Sequence, residues 1–218
     1  MSCYICGKEK ESVEHAPPKS FFPKGKRNSL ITVNSCKVHN QDTSLDDEYV
    51  RNIITMMIQG SSIAYDHFLT KSIKSFSRSP ALLKSTTEKW HPVNYNGVDT
   101  KAIEIDRDRV DVVMRKIAYA VFYHKYSQRW LRKLITATTY LKIPNLENDD
   151  LGDMIEELQN KHTPAYEGNN PEAFQYAFME TDGNINNQIL RMRFYEGFEI
   201  WMIPDGDEAN EPELNTLY

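Results

Sequence analysis

Cys3 and Cys6 form a Cys-x-x-Cys pair, Cys36 and His39 form a Cys-x-x-His pair thirty residues later, and the chain has no other cysteine. Three thiolates and an imidazole in two close pairs are the donor set of a tetrahedral zinc site, and four protein ligands close such a site, which makes it structural. A short amino-terminal segment with little core of its own gains its folding free energy from the metal. Between the pairs lies Glu14-His15-Ala16-Pro17-Pro18-Lys19, and Asn40 follows the second pair directly. A neutral histidine near pH 7 can take a proton from water. A carboxylate and an amide oxygen suit a hard divalent ion, Mg²⁺ or Mn²⁺ in preference to zinc.

The wider chain sets the context. With 218 residues, 40% hydrophobic and 26% charged, it has the composition of a globular protein with a proper core. It contains no apolar run of transmembrane length and its start lacks the apolar stretch of a secretory signal, so a reducing cytoplasm and no membrane association are expected. In that compartment a Cys-x-x-Cys binds metal sooner than it forms a disulfide. The net charge of −5 argues against binding nucleic acid by bulk charge. Its distribution is uneven, however, and local basic surface decides phosphate contact. Residues 1–45 carry seven cations against four acids, and residues 112–140 carry six cations and no acid. No Gly-rich phosphate loop, dinucleotide fingerprint or Ser-His-Asp set is present.

Several elements must position these residues. Ser29–Val33 has the β-branched content of a strand. Ser44 with Asp47 reads as a capping box opening a helix that ends near Gly60. Residues 61–89 are Ser/Lys-rich, weakly helical and broken at Pro80, and Val93–Ile105 reads as a hairpin turning at Asn96-Gly97. Asp106 caps a long helix over 107–127, continued or kinked into 128–141, with an apolar stripe from Val110 through Phe122. Tyr119, Tyr123, Tyr126 and Trp130 alternate there with Lys125, Arg129, Arg132 and Lys133. That pattern suits a nucleic-acid groove, but buried aromatics with solvated cations is the favoured reading. An acidic helix or loop spans 147–160, strands cover Ala173–Glu180, Gln188–Tyr195 and Phe198–Ile203, and the tail after Pro204 is acidic. His67, His91, His124 and His162 have no partner at ligand spacing and read as structural. The expectation is an α+β chain.

The segments Glu14–Pro23, Leu30–Val33, Cys36–Asn40 and Ser44–Tyr49, in this order and within a zinc bracket, resemble the HNH endonuclease family, in its bacterial branch with zinc knuckles around the nuclease hairpin. The resemblance covers about residues 1–55. It implies a zinc-stapled β-hairpin plus helix (a ββα-metal module, residues 1–60) ahead of a helical and antiparallel-sheet body of unknown role (61–218). It implies metal-dependent hydrolysis of DNA phosphodiester bonds, with RNA not excluded. His15 would activate water, and Glu14 and Asn40 would hold a catalytic Mg²⁺ or Mn²⁺. Asp46, Asp47 and Glu48 are further candidates for metal or water contacts, and Lys19, Lys24 and Arg27 for phosphate. The chain departs from the family in using His39 where cysteine is usual and in lacking a clean counterpart to the middle asparagine of the signature. A non-catalytic zinc module binding nucleic acid or a protein partner is the alternative. The body would position DNA, form a homodimer or meet a protein partner.

Overall fold

A computed structural model describes residues 2–40, 43–57, 61–95, 97–138, 150–161, 163 and 165–206. Expectations at Gly60, Asn96, 139–141, 147–149, His162 and the acidic tail from 207 lie outside these residues.

The amino-terminal part is a hairpin and two helices. β1 (Ser12–Ala16) pairs antiparallel with β2 (Ile31–Ser35), Ser12 opposite Ser35 and Ala16 opposite Ile31. A single-turn α1 (Lys37–Asn40) and then α2 (Ser44–Thr55) follow. The cap of α2 is Thr43, one residue before the predicted one, and its side chain makes no capping bond because it is engaged elsewhere. The Ser/Lys-rich stretch is helical throughout: α3 (Ser62–His67), a π-turn at Phe68–Ser72, α4 (Ile73–Arg78) and α5 (Pro80–Thr87). Pro80 does break the run, but as the first residue of α5, where its missing N–H costs nothing. β3 (Trp90–Tyr95) and β4 (Val98–Ile103) form the predicted hairpin.

α6 (Arg107–Tyr126) is the central beam. Asp106 accepts from the Arg109 N–H at its start, and Ser127 ends it in a left-handed conformation. From Lys116 to Phe122 every residue is buried, so the helix is covered on all sides and not along one stripe. It lies against β1, β2 and α2 on one side and meets the carboxy-terminal sheet on the other.

Beyond Ser127 the predicted helical continuation is wrong. Residues Leu134–Ala137 are β5, an edge strand paired to the last strand of the chain. After α7 (Asp150–Lys161) come β6 (Glu167–Asn170), β7 (Phe174–Met179), β8 (Ile189–Phe194) and β9 (Phe198–Pro204). They close an antiparallel sheet in the order β5-β9-β8-β7-β6. The fold is α+β.

One hydrophobic cluster runs from Cys3, Tyr4 and Ile5 through Val113, Ile117 and Phe122 to Met192, Phe194 and Met202. Tyr119 of α6 and Trp130 beyond it belong to this cluster, and Tyr123 and Tyr126 pack against it partly buried. Trp130 stacks on Phe122 at 4.6 Å, and Tyr119 donates to the Arg132 carbonyl. All four pack on the core, as favoured from the sequence, two of them fully buried. The cations beside them are not simply solvated: Arg132 is buried against Asn187, and Arg129 donates to the Ile5 carbonyl. Among the described residues no helix is long and apolar enough to cross a membrane.

His67 illustrates how a lone histidine is absorbed. It is buried, and its Nε2–H donates to the Ser20 carbonyl at 2.9 Å. Burial lowers its pKa, and the charges of Arg51, Arg27 and Lys71 lower it further against the effect of that bond. The unfolded chain therefore binds the proton more readily, so stability is full above the ordinary histidine pKa of about 6.5 and is lost as pH falls through it. Urea unfolding at pH 7.5 and 5.5 should show this loss. His67→Gln, which keeps an N–H donor, should reduce it relative to wild type.

Candidate metal centre and the histidine face

The first knuckle is a tight turn. Cys3 N–H donates to the Lys8 carbonyl at 2.8 Å and Gly7 N–H to the Cys3 carbonyl at 3.0 Å. Gly7 sits at φ 71°, a conformation that side-chain-bearing residues rarely adopt, with the Arg129 guanidinium packed over it. Tyr4 N–H donates to the Asn34 carbonyl at 2.9 Å, which fixes the knuckle to β2. Cys36 follows β2 directly and His39 lies one turn on in α1, so the strand end presents the second pair.

The four donor atoms lie within 4.8 Å of one another. Cys3 Sγ is 3.5 Å from His39 Nδ1, Cys36 Sγ is 3.2 Å from it, and Cys6 Sγ is 3.9 Å from Cys36 Sγ. Zinc–sulfur and zinc–nitrogen bonds of about 2.3 and 2.1 Å arranged as a tetrahedron require edges of about 3.5–3.8 Å. All three cysteines are free thiols, and Cys3, Cys36 and His39 are buried. Burial pushes the Cys3 thiol up, but hydrogen bonds from His39 and neighbouring backbone amides outweigh it and bring it to about 6. Cys6 is pushed up to about 11 by burial and by the adjacent sulfurs. Sulfurs crowded this closely favour a cation among them, the electrostatic character of a metal centre. The Cys3-Cys6-Cys36-His39 frame fits zinc.

The residues it encloses are placed differently from the expectation. β1 is regular from Ser12 to Ala16, so successive side chains alternate between faces. Val13 and His15, paired with Asn34 and Thr32, occupy the outer face. Glu14 and Ala16, paired with Val33 and Ile31, occupy the inner one. His15 and Glu14 therefore do not share a site. Pro17, joined to Ala16 by a cis peptide, comes only after the strand has ended and does not disturb the alternation.

His15 is half-buried, and its Nδ1 is enclosed without a hydrogen-bond partner. Burial lowers its pKa, and the charge of Lys19 adds to the effect. Lys19 and Lys24 are exposed. Arg27 is half-buried with its Nε on the Phe22 carbonyl at 2.9 Å, and Lys26 pairs with Glu172. Asn40 uses its amide to tie α1 to β1, donating to Ser12 Oγ at 3.0 Å and to the Val13 carbonyl at 3.3 Å.

Glu14 is 5% exposed and both of its oxygens are engaged. Oε2 accepts from the Tyr4 hydroxyl at 2.8 Å, and Oε1 lies 3.0 Å from Lys116 Nζ. The same ammonium reaches Asp47 Oδ1 and Oδ2 at 2.8 and 3.0 Å and Thr43 Oγ1 at 2.7 Å. Burial opposes the charge on Lys116, but Glu14 and Asp47 outweigh it and raise its pKa, so it stays protonated. Asp46 pairs with Arg109 at 2.6 Å, and Glu48 accepts from Ser75 with Arg51 and Arg78 nearby. Each downstream acid has a protein cation as its partner, so Glu14, Asn40, Asp46, Asp47 and Glu48 do not form a vacant divalent-ion site. The assignment of a catalytic Mg²⁺ or Mn²⁺ to Glu14 and Asn40 does not fit this geometry.

Sequence reasoning missed Lys116, Tyr4 and Thr43. Lys116 had a legible signal: with Arg115 it interrupts the otherwise apolar stretch from Val112 to Phe122, and it sits three residues after Val113 and four before Ala120, on the face that is buried. A lysine there requires a buried counter-charge. No protein-family model, curated protein or solved structure matches the chain.

Proposed function

We propose that the chain is an endonuclease of the HNH type, in which a zinc-stapled hairpin presents His15 to a nucleic-acid phosphodiester, DNA in the first instance. What carries this reading is His15 itself: a half-exposed imidazole on the outer face of β1, held neutral by burial and by Lys19. A neutral imidazole takes a proton from the attacking water as its oxygen bonds to phosphorus and the P–O bond to the leaving alkoxide breaks, the alkoxide taking a proton from solvent; this is the role of a general base. Lys19, whose charge reaches His15, and the exposed Lys24 would meet the phosphate charge. Zinc would hold the hairpin and take no part in the chemistry, since its four ligands leave no open position. The three free thiols suit a reducing compartment such as the cytoplasm.

The pairing of every downstream acid with a protein cation favours a second reading, a zinc module that binds nucleic acid without cutting it. Plasmid nicking with Mg²⁺ or Mn²⁺ separates the two. Under the first reading His15→Ala should lose about 10²–10⁴-fold in rate, with DNA affinity retained. Equal cutting by both proteins would remove His15 from the mechanism, and binding without cutting by either would establish the second reading.

A further inference from the structure

The buried cluster around Lys116 is built like a cation site. Four oxygen atoms from Glu14, Asp47 and Thr43 surround one point at 2.7–3.0 Å, supplied by β1, by α2 and by the residue that precedes it. Those distances suit an ammonium nitrogen, and Mg²⁺ or Ca²⁺ would draw the same oxygens in to about 2.0–2.6 Å. Two carboxylates face one ammonium, one acid more than the cation can match, and both carboxylates are pushed up by burial in spite of Lys116. The Tyr4 hydroxyl eases this by donating to Glu14 without bringing a charge. In place of the ammonium, a divalent ion would match the two carboxylates. Lys116 is itself buried and opens the stretch Lys116–Phe122 of α6 in which every residue is buried.

We propose that Glu14, Asp47 and Thr43 form a cation cage whose occupant is Lys116, and that this protein-borne charge closes the cage to Mg²⁺ and Mn²⁺. The cage explains why Glu14 is not a free metal ligand, and it does not depend on whether His15 cuts nucleic acid. Removing the ammonium should convert the cage into a divalent-ion site.

The test titrates Mn²⁺ into the full-length zinc-loaded protein, reading free Mn²⁺ by electron paramagnetic resonance and thermal stability in parallel. Lys116→Ala should gain a Mn²⁺ site at least roughly ten-fold tighter than any in wild type, as expected when a competing charge leaves an oxygen cage. Its melting temperature should rise with Mn²⁺ while that of wild type does not, and adding Asp47→Asn should abolish both effects. The proposal is overturned if folded Lys116→Ala takes up no Mn²⁺, or if wild type binds Mn²⁺ in a way that Asp47→Asn removes. Should Lys116→Ala not fold in the absence of Mn²⁺, Lys116→Gln is tested alongside it. Refolding of either variant by Mn²⁺ supports the cage, and failure of both with Mn²⁺ overturns it. Nicking by wild type and His15→Ala is scored separately, so the nuclease reading can fail while the cage stands.

Discussion

Stripping the metal from the Cys3-Cys6-Cys36-His39 centre should lower the melting temperature of the whole chain in one transition. In zinc-finger peptides the metal contributes about 10–16 kcal/mol of apparent folding free energy, which rivals the entire net stability of about 5–15 kcal/mol of an ordinary domain. Losing the knuckle also uncovers Tyr4 and Ile5, which pack in the same core as Met192 and Phe194. A strong chelator followed by far-ultraviolet circular dichroism and thiol titration checks this, with three thiols becoming reactive as the metal leaves. Cys36→Ser should reproduce the effect without a chelator. A chain whose melting is unchanged by either treatment would have no structural metal at this site.

The second large effect is expected at the buried ion cluster. Lys116→Ala should cost about 3–5 kcal/mol, because it leaves Glu14 and Asp47 buried without their partner. Replacing the three charged groups together with Lys116→Met, Glu14→Leu and Asp47→Leu should recover most of that loss, since well-packed apolar side chains often match or exceed a buried ionic group. Urea unfolding of the single and triple variants gives both numbers. A triple variant as unstable as Lys116→Ala would place the loss in packing at α6 and not in unpaired charge.

Several elements were legible because their signals are local. Asp106 caps α6 through a bond three residues away, and the β3–β4 hairpin turns at Gly97 in a left-handed conformation that glycine adopts freely. The two cysteine-containing pairs also announce themselves by spacing. Other elements depended on partners far along the chain. Ser12–Ala16 has no β-branched run and is a strand because β2 and the inner cluster accept its alternation. Leu134–Ala137 follows a long helix with similar composition, yet pairing with β9, more than sixty residues later, makes it a strand. The side chains around Glu14 and His15 were misjudged for a related reason. Both residue types were identified from the resemblance, but which face each occupies depends on the register of β1 with β2 and on an ammonium about a hundred residues away.

The beam-like course of α6 has a consequence for anyone who would transplant the first fifty-seven residues into another scaffold. Cut free, that fragment keeps its thiols but leaves behind the lysine that answers its inner carboxylates and the arginine that seals its glycine turn. The donor piece would be a half-built object, anionic where it should be dry. A successful graft must therefore carry α6 and the segment after it as far as Arg129.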